Sequence, residues 1–103
     1  MVFVTASGRE EAERIATDVV EGKLAACVNV VSGVRSCYVW EGKVTWSEEV
    51  LLIVKTTRER YEKLEARVRE LHSYEVPEIV AVGVERGLEK YLQWVGRGHG
   101  TCE

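Results

Sequence analysis

The stretch that most restricts this chain runs from Leu24 to Thr56, LAACVNVVSGVRSCYVWEGKVTWSEEVLLIVKT. It is rich in Val, Ile, Tyr and Trp and alternates with period two: Val34, Ser36, Tyr38 and Trp40 fall on one face, Arg35, Cys37 and Val39 on the other. Gly33 interrupts the run, which predicts a bend or a bulge. EGK at Glu41 to Lys43 reads as a hairpin turn with Gly in its middle, and a return strand follows from Val44 to about Lys55. A strand of that length spans ~40 Å. A compact chain of this size is only ~34 Å across, from a radius of gyration of ~13 Å. The tip must therefore project, and it carries Tyr38, Trp40 and Trp46. Such aromatics need cover, either from the hairpin curling back over its own core or from another subunit. The second is favoured, because one face of the sheet also asks for burial.

The flanking segments give the fold class. Met1 to Thr5 is a short β-branched and aromatic run, a predicted strand. Ser7 with Glu10 has the spacing of a capping box, and Ala12, Ile15, Ala16, Val19 and Val20 then mark one helical face that ends at Gly22. Thr56 with Glu59 repeats the box ahead of a second helix, whose stripe is Tyr61, Leu64, Val68 and Leu71. Its other face of Arg and Glu is a solvated face. Pro77 leads into a strand over Ile79 to Val84, and GLEKYLQWV forms a short closing helix. The remaining GRGHGTCE, about 96–103, reads as a flexible tail. The order β-α-β-β-α-β plus a helix predicts a single α+β domain over 1–103, a ferredoxin-like sandwich with a long central hairpin.

Bulk charge narrows the partners. There are 14 Lys and Arg against 17 Asp and Glu, a net charge of -3, which argues against nucleic acid and against an anionic membrane surface. No apolar run approaches a membrane span, and the N-terminal residues lack the pattern of a signal peptide. Cys27, Cys37 and Cys102 are odd in number and have no CxxC spacing, so a disulfide framework is not expected and a reducing cytoplasm is.

The chemistry-bearing residues cluster in LHSYEVPEIVAV, Leu71 to Val82. His72, Glu75 and Glu78 together suit copper or zinc. The segment equally reads as a joint: Leu71 closes the helix, Pro77 forces Val76 out of helical geometry, and Ile79 enters the core. A metal site needs three or four ligands, so Cys27 or a neighbouring chain would have to complete one. His99 and Cys102 in the tail have ligand-like spacing but are a weak pair. Lys55 stands at the end of a strand. No nucleophile–base pair or phosphate loop is present, and no enzyme is expected.

EGKLAACVNVV, YVWEGKV, LLIVKTT, LHSYEVPEIVAV and YLQWV together closely resemble the CutA family of divalent-cation tolerance proteins, from the first strand to Val95. The resemblance implies a ferredoxin-like fold in a tight homotrimer whose hairpins extend the sheets of neighbouring subunits. It implies a loose link to Cu(II) and other divalent cations, with no obligatory cofactor. Some members carry a cysteine where this chain has Val4 and a His-His pair where it has Leu71-His72; Ser73 replaces a common proline. Of a metal site built there only His72 carries over, with Glu75 and Cys27 as candidate further ligands. The alternative function is that of the PII-like trimeric regulators, which hold a small molecule or partner protein in clefts between subunits.

Overall fold

A computed structural model of the chain describes residues 1–97. The tail residues His99 and Cys102 lie outside the described residues; Gly96 and Arg97, expected in the tail, belong to the last helix. The elements are β1 (Val2–Ala6), α1 (Arg9–Glu21), β2 (Cys27–Trp40), β3 (Lys43–Lys55), a 3-10 turn (Arg58–Arg60), α2 (Tyr61–Leu71), β4 (Ile79–Ala81) and α3 (Glu89–Arg97). One four-stranded antiparallel sheet has the order β2-β3-β1-β4.

The register shows which residues share a face. Val2 pairs with Val54 and Val4 with Leu52 on β1–β3, while Val28 and Val30 meet the same two β3 residues from the other side. These positions and Ala6 and Val50 point toward the helices. Ile15, Val19, Leu64 and Val68 come down on them to form the core. Nearly complete burial of eight large aliphatic side chains here stabilises the domain by about 1.5–3 kcal/mol for each. The odd-numbered residues Phe3, Leu51 and Ile53 occupy the opposite face with Val31 and Val80, of which the last two are exposed.

The hairpin turns on two residues, Glu41 and Gly42, both at positive φ (51° and 78°), the geometry whose twist matches the flanking strands. Between the pairs Val31↔Leu51 and Val34↔Glu49, two β2 residues, Ser32 and Gly33, stand opposite one β3 residue, Val50. Gly33 takes φ +81°, so the expected interruption is a β-bulge. Beyond it the hairpin leaves the body, and the domain measures 46 × 26 × 23 Å. Trp40 is 63% and Trp46 56% exposed, with Tyr38, Val39 and Val44 also exposed, so the hairpin does not curl over its own core. Arg35 lies over the Trp46 ring at 4.9 Å, as diagonal neighbours on one face do.

Three local expectations are corrected. The N-cap of α1 is Gly8, which makes Glu11 rather than Glu10 the third helical residue, and it is Glu11 that reaches back to Ser7. Thr56 does not cap the second helix: its hydroxyl donates to the Leu24 carbonyl at 2.6 Å, and the chain enters α2 through the 3-10 turn after Thr57. The last strand is only Ile79–Ala81; just past it Val82 N–H donates to Met1 O at 2.8 Å and the Met1 amino group donates to Val82 O at 3.0 Å. The stop at Gly22 holds, with a twist. Gly22 is the C-cap, and Lys23 takes the left-handed position at φ 60°. Lys23 N–H donates to Val20 O and Leu24 N–H to Val19 O, the paired bonds of a Schellman motif.

Candidate functional site

The joint after α2 is built from its backbone outward. His72 N–H still donates to Val68 O, but His72 itself is extended at φ -78° and ψ 140°, so the helix ends there. The turn carries its imidazole inward, where it is 8% exposed. Nδ1 accepts the Tyr74 N–H at 3.0 Å, which requires the proton to sit on Nε2, and Nε2 donates to the Thr5 carbonyl at 2.6 Å. Both nitrogens of the neutral ring are thus engaged within the chain. The Tyr74 ring lies 4.8 Å from the imidazole, and its hydroxyl donates to Glu49 Oε2 at 3.1 Å. Burial first, and then the Glu49 carboxylate, raise the Tyr74 phenol above its ordinary pKa.

Glu11 closes the junction from the other side. Its Oε2 accepts the Ser73 N–H at 2.8 Å, and its Oε1 accepts the Ser7 N–H at 3.0 Å and the Ser7 hydroxyl at 3.1 Å. The side chain is buried among these donors. Burial alone would raise its pKa, but hydrogen bonds from Ser73 and Ser7 outweigh it and hold the carboxyl at about 2, below the ordinary 4.5. One anion therefore fastens the start of α1 to the end of α2, while His72 fastens the same turn to β1. Sequence reasoning passed over Glu11, Glu49 and the Thr5 carbonyl. The acidic residue in the first turn of α1 was the available signal for Glu11; nothing local tied it to Ser73, 62 positions on.

The residues singled out as metal ligands occupy separate settings. His72 has no lone pair left to offer. Glu75 is exposed on the turn beside a small groove that Pro77 and Arg69 also line. Cys27 is buried at the start of β2, across from Lys55, and is disulfide-bonded, which corrects the expectation that no disulfide forms and leaves it no thiolate to give a metal; Cys37 is a free thiol on the exposed hairpin. Among the described residues no three His, Cys, Asp or Glu side chains come together as a group that could hold a metal ion. The joint as built does not fit a metal, nor does His72 present a free nitrogen for proton transfer. The candidate interface residues Tyr38, Trp40 and Trp46 are all exposed on the projecting hairpin, but on two faces: Trp46 pairs with Cys37 on the face of Arg35, while Tyr38 and Trp40 share the other. No helix among the described residues is long and apolar enough to cross a membrane.

A family model described as CutA1 divalent ion tolerance protein matches residues 1–98. The divalent-cation tolerance protein CutA of Thermus thermophilus is 46% identical over 97% of each chain. The chloroplastic protein CutA of Arabidopsis thaliana is 45% identical over 92% of this chain, which spans only about half, 52%, of that relative's length. Among solved structures, the Thermus protein superposes with a TM-score of 0.92 at 46% identity, covering 96% of both chains. The structure described as the periplasmic divalent cation tolerance protein CutA of Archaeoglobus fulgidus gives 0.90 at 42% identity, covering 94% of both.

Proposed function

This chain belongs to the CutA1 family of divalent ion tolerance proteins, and we propose that it acts there as a non-enzymatic homotrimer whose contact with copper or other divalent cations is weak. The observation that carries the assembly is the bare hairpin. Two tryptophans, a tyrosine and two valines stand exposed on a projecting ribbon, and the sheet face away from the helices is only half covered. A ribbon with apolar side chains and open strand edges is stable in water when other copies cover it. The strand order supports the ferredoxin-like reading of each subunit. Weak metal contact follows from the ligand chemistry: His72 is committed to the fold, and an exposed carboxylate such as Glu75 leaves an ion mostly hydrated and exchangeable. The relatives' names speak of cation tolerance and give no support to a PII-like signalling role.

Native mass spectrometry with added Cu(II) or Zn(II) tests both halves. The expected spectrum is a trimer whose metal is lost on passage through a chelator. A monomer at micromolar concentration would refute the assembly, and a stoichiometric ion that survives the chelator would refute the weak contact.

A further inference from the structure

A second feature lies apart from the joint and the hairpin. The start of α2, the end of β4 and α3 enclose a groove of about 740 Å³. That lies within the range of small-molecule sites, roughly 300–1,000 Å³. Tyr91, Leu92 and Val95 of α3 give it an apolar wall. Lys55, Arg58 and Arg86 converge on it from three different segments. In a chain with net charge -3 this is a local excess of positive charge, opposed among the described lining residues by Glu62 alone. The ion pairs among the described residues use Arg9 and Arg67, and no carboxylate there lies within ion-pair distance of the three groove cations. Lys55 is half-buried, and that burial lowers its pKa, as expected for an ammonium drawn partly out of water with no counter-ion among the described residues. The N-terminal ammonium, at the rim, is already spent on the Val82 carbonyl at 3.0 Å.

We propose that this groove binds a small organic anion with an apolar body, an aromatic carboxylate or phosphate monoester, its charged end among Lys55, Arg58 and Arg86 and its ring against Tyr91, Leu92 and Val95. Guanidinium forks suit the paired oxygens of either group, and the wall gives the ring a dry surface. The same charge repels a bare divalent cation, so this site is separate from the family's cation role and does not depend on it.

The test uses the full chain and three probes: 4-(trifluoromethyl)benzoate, phenyl phosphate, and the neutral 4-(trifluoromethyl)benzyl alcohol. Titration is followed by calorimetry for all three and by fluorine NMR for the two fluorinated probes. The anions are expected to bind about tenfold or more tighter than the alcohol, the equivalent of one charge-assisted hydrogen bond. Lys55→Gln and Arg86→Gln should each weaken the anions by about five- to tenfold and leave the alcohol unchanged. Arg86 lies on an exposed segment outside regular structure, so its replacement tests the charge without disturbing packing. Equal affinity for alcohol and anions, or anion binding indifferent to both substitutions, would overturn the proposal. So would anion binding that appears only after the assembly is broken by Trp40→Ser with Trp46→Ser, since a second copy would then be the occupant.

Discussion

Replacing Glu11 with Gln keeps the shape of the side chain and removes its charge. In the wild type one carboxylate accepts from Ser73 N–H, Ser7 N–H and the Ser7 hydroxyl. The amide has only one accepting oxygen, and its NH₂ group faces a donor whichever way it turns. The fall of the carboxyl's pKa from 4.5 to about 2 corresponds to roughly 3 kcal/mol between charged and neutral forms. Water reaches the rim of this site, so a fair expectation is about 1.5–2.5 kcal/mol at neutral pH. The direction with pH follows from a folded pKa lying below the unfolded one. The contribution is fully present above about 4.5 and disappears as pH falls toward about 2. Urea unfolding of wild type and Glu11→Gln, at one protomer concentration and at several pH values, should give curves far apart at pH 7 that merge near pH 2. Other carboxylates cancel in the comparison. A gap that is the same at every pH would show that Glu11 acts through shape and not charge, and a gap below about 0.5 kcal/mol at pH 7 would show that the junction is not fastened there.

Three further outcomes are expected. Lys23→Gly relieves the left-handed backbone at the end of α1 and should raise stability by about 0.5–1 kcal/mol, measured by chemical unfolding; a loss would mean that the Lys23 side chain holds more than its φ costs. His72→Ala leaves the Thr5 carbonyl and Tyr74 N–H without their partner and should cost about 2–4 kcal/mol, with Cu(II) affinity unchanged by calorimetry; a large drop in that affinity would restore His72 as a ligand. Trp40→Ser together with Trp46→Ser should shift the sedimentation coefficient toward that of a single chain while the far-ultraviolet dichroism stays the same; an unchanged coefficient would place the subunit contacts elsewhere.

The hairpin was readable in advance because its signals are local. A glycine at the turn, a glycine at the bulge and period-two alternation each act over a few residues, and Gly42 and Gly33 both sit where left-handed backbone is needed. Helix entry was misread by a single position. Ser7 and Glu10 have the box spacing, but the backbone turns at Gly8, and this hands the role to Glu11. The state of His72 was beyond local reading. Its partner is a backbone carbonyl 67 positions away, and carbonyls carry no residue signature. A histidine flanked by carboxylates therefore looked like a ligand set until the fold gave both its nitrogens to the main chain.

The bulge at Ser32 and Gly33 also bears on how this chain can vary in length. Everywhere else in the hairpin a lost residue would turn each side chain beyond it to the wrong face or drag the pairing out of step. At this point β2 already carries one residue more than β3 needs. Deleting Gly33 would let Ser32 stand alone opposite Val50, with Val31↔Leu51 behind it and Val34↔Glu49 ahead of it unchanged. The aromatic end of the ribbon would keep its orientation, and only the local coil of the strand would relax. The bulge is thus a slack point, a place where a one-codon deletion is absorbed, while the same deletion three residues later would rewrite the ribbon.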